Sequence, residues 1–313
     1  MRTYVLQRLV IAIPSLLIAS LIVFVLPRLI PGDVVQLMIE EKAYGKDLEE
    51  LRAKLGLDRP IPVQYASWIG KLARGDFGES LWTRRPVVGE LARRLPVTLM
   101  LGGMAIAVAI VIGIPIGILS AVRQDGVLDF FARSAAILGL SIPGFVKAIV
   151  VILLPAIWWG WTPLVRFVEL SKDPTGYLLQ FVLPAIILGI ASAAAIMRLT
   201  RGMLLEVLRQ DYVRTAWAKG LRERVVVLKH SLKNAMIPVV TVLGLQVAQI
   251  AGGAVIIEQI FGLPGMGQFL VEAIIQRDYP VIQGINLLIV MIIVTINLLV
   301  DLTYAVMDPR IRY

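Results

Sequence analysis

The chain has 313 residues, of which 58% are hydrophobic and 17% charged, with a mean hydropathy of +0.81; soluble domains carry about 25% charged and about 45–50% apolar residues, so this composition belongs to a membrane protein. With no Cys and one His, His230, disulfide frameworks, thiolate zinc sites, iron–sulfur clusters, thiol nucleophiles and any site needing two imidazoles are excluded. The net charge of +9 takes its meaning from where the basic residues sit.

A helix crossing the hydrocarbon core needs about 20 mostly apolar residues. Gaps between charged residues supply five such runs, bounded by Arg8 and Arg28, Arg94 and Arg123, Asp173 and Arg198, Lys233 and Glu258, and Asp278 and Asp301. A sixth apolar stretch lies between Arg133 and Arg166, interrupted by Lys147, and reads as one long helix from near Ser134 to near Trp161. The first run exceeds a signal h-region of about 7–15 residues and leads into Pro27-Arg28 without a small-residue cleavage site, which predicts a retained helix. The chain is therefore expected to be an all-α membrane protein with six transmembrane helices.

Six spans put both termini on one side. Lys and Arg concentrate there, nine of them between Arg198 and Lys233, whereas the short loops opposite hold Arg166, Lys172 and Arg277. The positive-inside rule makes the terminal side cytoplasmic; the loop from Pro31 to Pro96 is set aside because loops beyond about 60 residues translocate regardless of charge. In that outer loop, Leu48, Leu51 and Leu55 have helical spacing before Gly56, and a second amphipathic segment from Val63 to Leu72 places Tyr65, Trp68, Ile69 and Leu72 on one face. Two readings stand for these pieces: a cap on the membrane surface, or a docking platform for an external partner.

The inner loop from Arg198 to Lys233 sets nine basic residues against Glu206, Asp211 and Glu223. Within it Val213, Ala216, Trp217, Gly220 and Leu221 share one helical face, with Arg214, Lys219 and Arg222 elsewhere. Gly220 ends this helix or permits close approach of another backbone. Such a helix rests on anionic lipid or inserts into a groove of a cytoplasmic partner. Gly113-Ile114-Pro115-Ile116-Gly117, Ser141-Ile142-Pro143-Gly144 and Ile237-Pro238 interrupt or open spans, and such breaks line cavities in transporters more often than they face lipid. Neither Gly45-Lys46 nor Gly70-Lys71 completes a P-loop, one His cannot form a His-Glu-x-x-His site, and no catalytic residue is expected. A channel would need a filter-like loop or a ring of acidic or carbonyl groups, and a scaffold has no use for breaks at Pro115 and Pro143.

Asp211-Tyr212-Val213-Arg214-Thr215-Ala216-Trp217-Ala218-Lys219-Gly220-Leu221, followed by His230-Ser231-Leu232-Lys233-Asn234-Ala235-Met236-Ile237-Pro238, resembles the cytoplasmic signature loop of bacterial ABC importer permeases of the oligopeptide, dipeptide and nickel branch. Ile30-Pro31-Gly32-Asp33, Leu55-Gly56-Leu57-Asp58-Arg59-Pro60, the stretches Arg74–Leu81 and Arg94–Leu99, Phe261–Gly267, Arg277–Pro280 and Asp308–Arg312 are similar too, so the resemblance covers essentially the whole chain. It departs from the general signature in having Arg214-Thr215-Ala216 where Glu-Ala-Ala stands and His230-Ser231-Leu232-Lys233 at the end, departures typical of the peptide branch.

The resemblance implies an arm and first helix over residues 1–30, a periplasmic loop over 31–94, a permease core over 95–306 with a coupling loop at 198–233, and a cytoplasmic tail at 307–313. It further implies a multi-pass protein of the bacterial inner membrane with cytoplasmic termini. Its partners would be a homologous second permease, two cytoplasmic ATP-binding subunits and a periplasmic or lipid-anchored substrate-binding protein, with no nucleic acid. No cofactor or metal would be bound by this chain, ATP and Mg belonging to the ATPase subunits. Asp211, Tyr212, Arg214, Thr215, Ala216, Trp217, Lys219, Gly220 and Leu221 would couple to the ATPase, and transport of peptides would proceed by ATP-driven alternating access; nickel complexes, glutathione and oligosaccharides are other cargoes of the same family. Pro143, Phe145 and Lys147 are candidates for the translocation path. The family usually has aromatic or small residues where Val146-Lys147-Ala148 stands here. Lys147 either lines the path and favours carboxylate-bearing substrates, or sits at the cytoplasmic boundary of a span starting at Ala148.

Overall fold

The computed structural model describes residues 2–29, 52–53, 56–162 and 167–307. The expected helix around Leu48–Leu55, the Ile30–Asp33 stretch, Arg166 and the Asp308–Arg312 tail lie wholly or largely outside them. Among the described residues the regular elements are helices: α1 (Arg2–Leu29), α2 (Ile61–Leu72), α3 (Val87–Val122), α4 (Val127–Ser141), α5 (Gly144–Trp159), α6 (Pro174–Leu208), α7 (Asp211–Ala218), α8 (Leu232–Phe261), α9 (Met266–Ile275) and α10 (Tyr279–Met307). Among the described residues five helices are long and apolar enough to cross a membrane, and the bent pair α4–α5 makes a sixth candidate span.

The expected single helix from Ser134 to Trp161 is two helices, α4 starting seven residues earlier than expected and the pair bent by 96°. Pro143 is the cause. Its ring disfavours helical backbone at the preceding residue, and Ile142 is extended, with φ −88° and ψ 122°. At the far end Gly160, in the left-handed conformation at φ 63°, stops α5. Two boundaries also move: α3 begins at Val87 rather than after Arg94, and α6 continues to Leu208, through the first part of the expected inner loop.

Two compact units make up the chain, one built from Val97–Leu263 with the end of α10 from Thr295, the other from Arg2–Pro96 with Pro264–Val294. In the first, α3 and α6 touch backbone to backbone. A methyl group added at Gly113 would stand 2.7 Å from the Ala193 carbonyl oxygen, at Gly117 2.8 Å from that of Met197, and at Gly189 2.6 Å from that of Ala105. Without a hydrophobic drive between helices in lipid, such small-residue contact is what holds spans together. Leu101, Ala148, Phe181, Ala185 and Ile257 form the buried cluster next to it. Polar cross-links add to the packing: Thr98 donates to Glu258 at 2.6 Å and Ser192 to Gln246 at 2.8 Å, each worth about 0.6 kcal/mol by the average for interhelical bonds in membranes.

In the second unit α2 is strapped to the end of α1. Ser20 and Tyr65 share a hydrogen bond of 2.8 Å, and Phe24 packs on the rings of Tyr65 and Trp68 at 5.3 and 5.5 Å. The Arg28 guanidinium lies 3.6 Å over Phe24 and donates to Gln64 at 3.0 Å. The aromatic part of the amphipathic face expected over Val63–Leu72 therefore rests on the first span. Further on, the Ser80 hydroxyl and the Leu81 N–H both donate to Asp278, while the Trp82 indole donates to the Gln276 carbonyl at 2.7 Å. This joins the loop after α2 to the corner between α9 and α10. Burial pushes the Asp278 carboxyl above its ordinary value, and those donors partly oppose the shift.

Candidate functional site: an amphipathic helix on the ends of two spans

The α7 helix sits where the chain leaves α6 and turns back into α8. Gln210 breaks from helical backbone, at ψ 150°, and Asp211 opens the new helix with a carboxylate favourable to its dipole. Termination follows the Schellman pattern: Gly220 N–H donates to Trp217 O at 2.9 Å and Leu221 N–H to Ala216 O at 3.4 Å, with Gly220 left-handed at φ 74°. Gly220 therefore serves as the helix stop, and a methyl added there meets no atom within 4 Å.

Val213 and Ala216 are the buried face. They pack with Leu204 and Val207 of α6, Ala121 of α3, and Val226, Val227 and Ala235 at the entry to α8. The remaining expected residues, Asp211, Tyr212, Arg214, Thr215, Trp217, Lys219, Gly220 and Leu221, are exposed. The apolar face is thus divided. Val213 and Ala216 are consumed by the chain's own core, so Ala216 offers nothing to another molecule, while Trp217 and Tyr212 remain 42% and 40% exposed. Arg214 pairs with Asp211 at 3.5 Å, both on the open surface, where such a pair is worth about 0–1 kcal/mol. Thr215 turns its hydroxyl back to the Asp211 carbonyl.

Tyr212 ties the helix to the following span. Its hydroxyl donates to the His230 carbonyl at 3.3 Å and accepts from the Asn234 amide at 2.8 Å. The His230 carbonyl belongs to a π-helical turn, Val226–Ser231, that leads straight into α8; such single turns are frequent at functional sites. Ser231 donates to the Val226 carbonyl inside that turn at 3.0 Å. α7 is thus pinned to the turn entering α8 on one side and to α3 and α6 on the other.

Beside this helix lies a cluster that the charge count over the inner loop misses. Arg201, counted among nine loop charges, belongs to α6 and makes a bidentate ion pair with the wholly buried Asp129 of α4. The signal in sequence was slight, an acidic residue in the first turn of a helix beginning in a short basic loop.

The three path candidates lie at the α4–α5 break. Pro143 and Phe145 are exposed. Lys147, half-buried, donates from Nζ to the Gly139 carbonyl at 2.9 Å. Breaking a helix strands its last carbonyls, and this ammonium occupies one of them, a partner that neither sequence reading of Lys147 contained.

A model of the family described as "Binding-protein-dependent transport system inner membrane component" matches residues 113–313, and the corresponding N-terminal model matches residues 1–102. The chain belongs to this family: it is a membrane subunit of a binding-protein-dependent ABC transport system, a kind of system that works with ATPase and substrate-binding subunits. Over its whole length it is 44% identical to a putative peptide permease protein of Brucella suis biovar 1 (strain 1330), covering 99% of that protein. It is 40% identical to the dipeptide transport system permease protein DppB of Escherichia coli (strain K12), covering 99% of that protein. Among solved structures, the MetNI methionine ABC transporter in inward-facing conformations shares the fold at TM-score 0.57 and 20% identity, over 71% of this chain and 97% of that one. An amino acid ABC transporter does so at TM-score 0.54 and 15% identity, over 70% and 94%.

Proposed function

We propose that this chain is one of two homologous permease subunits of an ABC importer for di- and oligopeptides, with α7 as its coupling helix. The observation that carries the reading is the division of α7: Val213 and Ala216 fix it to its own spans, while Trp217, Tyr212 and Leu221 stand out from the surface. A helix bearing large apolar groups outside the spans, clamped at its base, suits a groove in another protein. The basic residues of the same loop support a cytoplasmic placement of α7 and of both termini. Peptide cargo is supported by the names of full-length relatives at 40–44% identity.

In this reading ATP and Mg are held by two partner ATPase subunits, which hydrolyse the nucleotide, and this chain performs no catalysis and binds no cofactor. Closure of the ATPase pair displaces α7. Because α7 is pinned to the ends of α3 and α6 and to the turn entering α8, the displacement tilts those spans and opens the path to the side where the binding protein has docked. ATP thereby favours one permease state over the other, which is the condition for coupling. Pro143, Phe145 and Lys147, at the break in the third span, are the path candidates of this reading. The experiment is reconstitution with partner subunits in proteoliposomes. Hydrolysis stimulated by peptide-loaded binding protein, with peptide accumulating inside, is expected; hydrolysis indifferent to the binding protein and no accumulation would overturn the reading.

A further inference from the structure

Where α3, α4 and α6 meet, a carboxylate without exposed surface is held from several directions. Asp129 and Ser120 are both fully buried. The Arg201 guanidinium meets the carboxylate edge-on, Nε to Oδ1 at 2.7 Å and Nη2 to Oδ2 at 2.8 Å. Ser120 of α3 donates its hydroxyl to Oδ1, the Asp125 N–H donates to Oδ2 at 3.0 Å, and Arg133 stands 3.6 Å from Oδ1. The first turn of α4 is thereby fixed to the ends of α3 and α6.

Those same ends carry α7. Ala121 and Val122 follow Ser120, and Leu204 and Val207 follow Arg201, in the cluster that buries Val213 and Ala216. From Asp129, α4 runs along α6 on Ala136, Ala194 and Met197 and reaches the break at Pro143. Apolar contacts of that kind are non-directional. A two-pronged charge-assisted pair adds geometric specificity, fixing how the two side chains meet. A buried ion pair is also a poor stabiliser compared with apolar packing of the same volume, so its value in this position is geometric.

We propose that Asp129 and Arg201 form the clasp that makes the broken span follow α7: they are positioning residues that pass the ATPase-driven displacement to the α4–α5 break. The proposal rests on the importer reading above.

The test uses the assembled transporter in proteoliposomes with saturating binding protein, measuring ATP hydrolysis and uptake of tritiated dialanine. Asp129→Asn is expected to keep basal hydrolysis while dialanine moved per ATP falls by about tenfold, within the usual range of coupling between sites. Arg201→Lys, which keeps the charge and loses the planar fork, should fall by a smaller factor in the same ratio, and it carries the test by itself if Asp129→Asn fails to assemble. An unchanged ratio in the variants overturns the proposal. So does a loss of uptake and hydrolysis in equal proportion, which marks a purely structural role. Failure of the importer reading looks different: wild type itself then moves no dialanine and hydrolyses ATP without regard to the binding protein.

Discussion

The amide of Asn234 donates to the hydroxyl of Tyr212 at 2.8 Å, and through this bond an eight-residue helix is tethered to the span that follows it. Both side chains are exposed, so the bond competes with water and stabilises the fold only modestly. Its position is what matters, because it fixes the orientation of α7 about the buried Val213–Ala216 edge.

Tyr212→Phe should therefore leave the complex intact and weaken its coupling. Losing the two exposed bonds of this hydroxyl, at about 1 kcal/mol net, corresponds to about a fivefold change in the equilibrium constant for seating the helix. Peptide uptake at saturating ATP should fall by up to about that factor, with the amount of membrane-inserted complex unchanged on a blot. Loss of the complex itself would mean that the bond serves folding.

Gly220 separates two physical effects. A side chain there meets no neighbour but must adopt φ 74°, a conformation that Asn and Asp tolerate better than other residues. Gly220→Asn should retain most of the uptake. Gly220→Asp adds a negative charge to a basic contact surface and should abolish uptake while the permease still inserts. Equal uptake by the two variants would show that the surface around Gly220 touches no charged partner.

Asp278 gives a pH dependence with a defined sign. Its native value lies above the ordinary carboxylate value because of burial, so the folded state binds this proton more tightly than the unfolded one. Stability from this group is full below the unfolded value of about 3.9 and is lost as pH rises through the raised native value. Asp278→Asn should remove that slope. Thermal unfolding of the detergent-solubilised chain over an acid-to-neutral pH series measures it, and an equal slope in the variant would contradict the assignment.

Lys147 is best tested by two replacements. If its function is to satisfy the carbonyl stranded at Gly139, Lys147→Gln, which keeps a donor, preserves uptake of acidic and basic peptides alike. Lys147→Met removes the donor and lowers thermal stability by about 0.5–1.5 kcal/mol, the net worth of a hydrogen bond to a carbonyl that water can partly reach. A selective loss of acidic peptides in Lys147→Gln would instead place the ammonium in the path.

The spans were readable because charge is excluded from the hydrocarbon core, and α7 because its apolar spacing ends at a glycine. The motif at Pro143 is visible in the sequence but the 96° bend is not: a proline inside an apolar run is compatible with a kink or a full turn, and neighbouring helices decide which. The bond from Lys147 to the Gly139 carbonyl is hidden from the sequence for the same reason, since a carbonyl freed by the bend exists only once the bend does. The Asp129–Arg201 pair joins residues 72 positions apart, each of which looks like an ordinary loop charge beside a span. The division of α7 into a consumed face and an offered one likewise depends on how closely α3 and α6 approach, which periodicity does not report.

The exposed side of α7 is proposed to seat in an ATPase subunit, and a sequence without cysteine lets one introduced thiol report on that contact. Thr215→Cys places a single thiol on that side for labelling with a maleimide-benzophenone. Irradiation of the assembled transporter should join this chain to an ATPase subunit. Label confined to lipid or to the permease itself, in a complex that still transports, would mean that this side of α7 does not meet the ATPase.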